Sequence, residues 1–360
     1  MIKPLTSCRF FFALMVFFSH IDFIDKSHVT FHTLYQNIFQ EGYLGVSFFF
    51  ILSGFILTLN YKDKILSGEV GHKEFWMARL ARIYPLHFIT TILCIPLTLI
   101  FFNDGVLMWG LKLCLNLLLL QSFVPAISVY YSFNAPSWSI SDEMFFYLIF
   151  PFLIILYNKC RSAVCINLIY LLLIPIGIYF VPSNLIHRIF YINPLIRLAD
   201  FSLGILLFKL YELSKIELLK YHSLKATLFE LISIIVFLSF FVFHKFIPDG
   251  YRLSCYYWFP MSLIIFIFSF QLGYFSRILS YKPFVILGEL SFSFYLLHKL
   301  LISYLEIFFS KNILHLYPYM VLAIVFFSTL LLSYLCHRYF EIPANRYIKT
   351  KYKLSLMERK

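Results

Sequence analysis

Apolar runs of bilayer-spanning length recur from one end of this 360-residue chain to the other, with no long polar block between them. A helical span needs about 20 mostly apolar residues. Eleven such segments can be marked, at residues 5–24, 43–61, 86–102, 106–123, 143–158, 163–181, 195–210, 227–245, 256–272, 284–309 and 318–339. With 61% hydrophobic and 13% charged residues, the composition excludes a soluble globular domain. The expected fold is therefore all-α, a polytopic helical bundle forming one membrane domain over residues 1–345, followed by a basic cytoplasmic tail over 346–360. Neither a nucleotide-binding unit nor a fused hydrolase domain is expected.

Loop charges decide how many segments cross. Lys3 and Arg9, the group Lys62, Lys64, Lys73, Arg79 and Arg82, and the tail with Arg346, Lys349, Lys351 and Lys353 all favour the cytoplasmic side, which requires an even number of crossings. If 106–123 lies in the interface or re-enters, Lys159 with Arg161, Lys209 through Lys225, and Arg277 with Lys282 also fall inside. The expectation is ten transmembrane helices with both termini cytoplasmic, and with Val124 to Ser141 on the outer side. The net charge of +12 is thereby explained by topology, and no nucleic-acid partner is implied. Lys3 precedes an apolar stretch as in a signal peptide, but Arg9 interrupts it and no small-residue cleavage site follows, so an uncleaved first span is expected. Seven scattered cysteines, with no Cys-x-x-Cys pair, read as packing residues and suggest no metal.

Ionisable residues inside spans are costly and usually functional. Arg9 and His20 stand in the first apolar segment, and at about 100° per residue they fall on nearly one helical face, about 16 Å apart. Such a stripe suits an elongated ligand with an anionic head. Arg79 and Arg82 share a helical face at the mouth of the third span and can present two guanidinium forks to one polyphosphate. Glu143 follows Ser137-Trp138-Ser139, and its spacing from Ser139 fits either a helix cap or a carboxylate acting at the outer face. Ser291, Tyr295 and His298 form a polar stripe in another span. Arg197 and Asp200, at i and i+3, read as a structural ion pair.

The order Arg9-x10-His20, Gly45 to Phe55, Arg79-x-x-Arg82-Ile83-Tyr84-Pro85, Ser137-Trp138-Ser139 with Glu143, and Ser291 through Tyr295 to His298, closing on Tyr339 to Arg346, resembles the membrane acyltransferase-3 family. The usual Asp or Gly before the first arginine and the Gly after it are here Ser7, Cys8 and Phe10. The resemblance implies an enzyme of the bacterial cytoplasmic (inner) membrane that moves an acetyl or similar short acyl group from acetyl-CoA to a hydroxyl of an extracytoplasmic glycan, such as O-antigen, capsule or exopolysaccharide. It implies His20 as catalytic, with Arg9, Arg79 and Arg82 as donor-site residues.

His20 suits a general base, with Glu143 as its orienting carboxylate. Ser137, Trp138, Ser139, Tyr295 and His298 are the expected acceptor-side residues. The alternative class is a transporter or flippase, because buried Arg, His and Glu also mark substrate pathways. The absence of apparent repeats weighs against it.

Overall fold

The computed structural model describes residues 2–22, 29–100, 105–219, 221–308 and 317–357, and every regular element among them is helical. The principal helices are α1 (Lys3–Ser19), α2 (Gly45–Leu66), α3 (His72–Ile100), α4 (Val106–Leu117), α5 (Trp138–Lys159), α6 (Arg161–Phe180), α7 (Pro194–Leu218), α8 (Ser223–Phe243), α9 (Trp258–Ser269), α10 (Lys282–Phe308), α11 (Pro318–Cys336) and α12 (Ile342–Met357). Residues 23–24, 101–102 and 309, at the ends of three expected spans, and residues 358–360 of the tail lie outside the described residues.

Among the described residues, seven helical segments are long and apolar enough to cross a membrane, and the pair Ser183–Ile192 with α7, bent by 50°, makes an eighth if it is one span. α1, at 17 residues, and the apolar helices α4 and α9, at 12 each, are shorter. Segment 106–123 does not continue as a helix. It stops at Leu117, and Leu119 turns into the left-handed region at φ 56°. Conversely, α5 is longer than its hydropathy suggests, with 22 residues from Trp138, because Pro136 within the turn Ala135–Ser137 starts the helix early. Ser139 consequently sits inside the helix, and the capping-box arrangement expected from its spacing is not formed.

The chain folds as two compact units. The first comprises residues 1–12, 44–70 and 149–289. Its closest packing is between α2 and α7, where a Cβ on Gly54 would stand 2.0 Å from Phe201 O and one on Gly204 2.0 Å from Ile51 O. Small residues at such crossings let backbones approach where lipid provides no hydrophobic drive. Phe12 stacks on Phe48 at 3.6 Å between ring centroids. Arg197, fully enclosed, pairs with Asp200 at 3.2 Å, donates to Ser47 Oγ at 2.8 Å and faces the rings of Phe50 and Tyr191, while Trp258 Nε1 donates to Asp200 at 3.0 Å. The pair is therefore the structural ion pair that its spacing indicated. Glu230, buried on α8, accepts the backbone N–H groups of Gly273, Phe275 and Ser276, which open a short helix at Tyr274. A carboxylate there satisfies amides that have no intrahelical partner.

The second unit comprises residues 13–43, 71–148 and 290–360. Phe17 packs against Phe294 and Phe326 at 5.5 and 5.9 Å, and Gly42 lies against the backbone of Met15, where a Cβ would meet Met15 O at 1.9 Å. This packing pins the end of α1 against α10.

Candidate functional site

A helix end leaves its last four carbonyls without intrahelical partners. At the end of α1 they recruit the site. Val16 O accepts from Ser19 Oγ and from His20 Nδ1, each at 2.8 Å, and Ser19 O accepts from Tyr35 OH at 2.9 Å. His20 thus lies one residue beyond α1, its ring folded back on the helix it follows rather than projecting from a helical stripe.

Across from it on α10, His298 Nε2 stands 3.2 Å from His20 Nδ1, with the ring centroids 5.0 Å apart. His298 is fully enclosed, whereas His20 is half-buried. Among the described residues, His20 Nε2 makes no hydrogen bond to the protein and is not among the sealed polar atoms. The ring therefore offers one free nitrogen on its open side.

The expected acceptor-side residues come together one turn away. Tyr295 OH meets Ser139 Oγ at 2.8 Å and lies 3.2 Å from Pro136 O, so the turn before α5 is tied to the face of α10 that carries His298. Ser137, Trp138, Ser139, Tyr295 and His298 are all buried, and the described hydroxyl bonds join these residues to protein partners. Glu143, half-buried, accepts from the Tyr147 hydroxyl. The imidazole that meets His20 is that of His298.

Sequence reasoning missed the polar residues behind this turn. His87 Nε2 donates to Asn116 O at 2.8 Å, Asn116 Nδ2 donates to Ser132 Oγ at 2.8 Å, Gln121 Nε2 donates to Ser137 O at 3.0 Å, and Asn134 Nδ2 donates to Leu296 O at 2.9 Å. His87 and Asn116 lie on α3 and α4 and Gln121 and Asn134 on short turns, and a single His, Asn or Gln in an apolar chain carries little signal.

Arg79 and Arg82 both lie on α3 in this second unit, partly buried. Arg79 faces the rings of Phe75 and Tyr147 at 5.9 Å each, which holds its stem in place. Arg82 is within electrostatic reach of Glu341, which accepts from Ser293 Oγ at 2.7 Å and pairs with His337 at 3.0 Å. Arg9 lies on α1 in the first unit. Among the described residues, no group of three His, Cys, Asp or Glu side chains converges as a metal site would.

The architecture is that of a helical membrane protein, with one imidazole of the pair just past the end of α1 and the other within α10. The chain belongs to the acyltransferase-3 family, whose model, described as an acyltransferase domain, matches residues 5–338. It is similar to the acyltransferase MdmB of Streptomyces mycarofaciens, 38% identical over 159 residues that cover 42% of this chain and 38% of that protein. It is also similar to the peptidoglycan O-acetyltransferase OatA of Listeria monocytogenes, 26% identical over 285 residues, covering 72% of this chain and 44% of that one. The chain spans less than half the length of both relatives. No solved structure matches it.

Proposed function

We propose that this chain is a membrane O-acetyltransferase that moves an acetyl group from cytoplasmic acetyl-CoA to a hydroxyl of an extracytoplasmic glycan, in a bacterial cytoplasmic membrane that it crosses ten times. The observation that carries the reading is the free Nε2 of His20, held at a helix end in the unit that also bears Arg79 and Arg82. An acyl-CoA has a multiply charged head and a thioester at the tip of a flexible arm, so it needs cations at one end and a base at the other. Arg79 and Arg82 would hold the phosphates through charge-assisted contacts. For Arg9, the donor-side role rests on the sequence resemblance.

On the acceptor side, Ser137, Trp138, Ser139 and Tyr295 shape the wall beside α10, and Glu143 stands at the opening of α5. The relatives support the reaction class: one is named an acyltransferase and the other a peptidoglycan O-acetyltransferase. Mass spectrometry of surface polysaccharides, with and without this gene, tests the proposal. The expected outcome is loss of one acetyl substituent with the glycan otherwise intact. Loss of whole glycan units would instead identify a flippase, and an unchanged glycan profile would remove the glycan from the reading.

A further inference from the structure

The contacts at the end of α1 determine which ring nitrogens carry hydrogen. A backbone carbonyl accepts and never donates. His20 Nδ1 stands 2.8 Å from Val16 O, and His298 Nδ1 stands 3.2 Å from Phe294 O. A bare nitrogen at either place would set lone pair against lone pair, so both neutral rings carry their hydrogen on Nδ1. The third contact then matches as well: the Nδ1–H of His20 is shared between Val16 O and the bare Nε2 of His298, 3.2 Å away. What remains is His20 Nε2, bare, free of protein bonds and on the open side of the ring.

We infer that His298 is a positioning residue, which together with the Val16 carbonyl holds His20 in its Nδ1–H tautomer and presents Nε2 to the reacting atoms. The chemistry rests on the acyl-transfer reading above; the tautomer does not. His20 Nε2 takes the proton of the acceptor hydroxyl as its oxygen bonds to the thioester carbonyl carbon. The C–S bond then breaks, and the thiolate leaves with the proton that Nε2 returns, giving an ester and free CoA thiol. While Nε2 holds that proton the ring is a cation, and its Nδ1–H becomes a stronger donor, which the His298 Nε2 lone pair stabilises. This is the place a carboxylate takes beside many such bases. Among the described residues no carboxylate bonds either ring, and Lys299 and Asp22 act on His20 through opposed charges alone, the lysine's the larger. His298 is suited to the task because its ring is boxed in by Phe17, Phe294 and Tyr295, at 6.2, 6.4 and 5.9 Å between centroids.

The first test needs no substrate. In the full-length protein labelled with ¹⁵N-histidine and reconstituted in nanodiscs, the His20 resonances, assigned by their loss in His20→Gln, are expected to show a protonated Nδ1 and a bare Nε2. A protonated Nε2 on neutral His20 overturns the inference. The second test uses [¹⁴C]acetyl-CoA and the extracted lipid-linked glycan fraction as probes. His298→Leu is expected to lower kcat roughly 10- to 100-fold with KM for acetyl-CoA unchanged, a smaller loss than the ~10²- to 10⁴-fold typical of removing the base itself. His298→Gln, whose Oε1 can stand where Nε2 accepts, is expected to restore most of it. Equal losses in the Leu and Gln variants, or an effect confined to KM, overturn the positioning role. If the wild-type protein transfers nothing, the acyl-transfer reading fails, and the labelled spectrum still decides the tautomer.

Discussion

An imidazole one residue past a helix end can be held by carbonyls that the helix leaves unused, and His20 is held so through Val16 O. Replacing it by Ala removes the proposed base without opening the bundle, since the ring is half-buried and its neighbours pack on Phe17 instead. The expected outcome is loss of glycan acetylation with normal membrane levels of the protein, read by mass spectrometry and immunoblot. His20 was visible in the sequence because a polar ring stands out in an apolar run. Its partner was not, because His298 is 278 positions away and the distance between the two depends on how α1 crosses α10. The Arg197–Asp200 pair was legible for the opposite reason: three residues on one helix are neighbours in any tertiary context. Arg197→Met leaves the enclosed carboxylate of Asp200 without its cation and should destabilise the protein by about 3–5 kcal/mol. Arg197→Met with Asp200→Leu should recover most of that, as measured by thermal unfolding in detergent.

At the scale of elements, hydropathy located the helices but misjudged their lengths where polar residues are buried with partners. The run 143–158 appears short because Ser139, Ser141 and Asp142 lower its apolar score, yet all three lie within α5, where Ser141 Oγ donates to Leu119 O at 2.6 Å and Ser139 meets Tyr295. Glycines divide in the same way. A Cβ added at Gly54 or Gly204 would stand 2.0 Å from backbone, and backbone cannot swing aside as a flexible side chain does. Gly54→Ala should therefore destabilise the α2–α7 crossing by about 1–3 kcal/mol, as overpacking typically does. Gly110, inside α4, has nothing within 4 Å of an added Cβ, and Gly110→Ala should stabilise by about 0.5–1 kcal/mol. Melting temperatures of the two variants should move in opposite directions. In sequence the two positions look alike, each a glycine in an apolar run.

For the whole molecule, α4 controls the parity of the crossings. If α4 does not cross, the junction between α5 and α6 faces the cytoplasm; if it does, that junction faces out, together with every later loop shifted in turn. A native reporter sits at the junction. Cys160 separates Lys159, which ends α5, from Arg161, which begins α6, and it is partly exposed. The Ser162 hydroxyl, 2.9 Å from its sulfur, and the Ala163 N–H hold the thiol below the usual cysteine range. Because the thiolate is the reactive form, its alkylation should persist to lower pH than that of an ordinary cysteine. Cys255, in the loop before α9, is the natural contrast, since burial pushes its thiol up to about 11. A membrane-impermeant maleimide at neutral pH should therefore report Cys160 far more than Cys255. With ten crossings it should label inside-out vesicles but not intact spheroplasts, and Cys160→Ser should remove the difference. Labelling of intact spheroplasts at Cys160 would make α4 a crossing helix, move the Val124 to Ser141 stretch to the cytoplasmic side, and take the proposed acceptor wall away from the glycan.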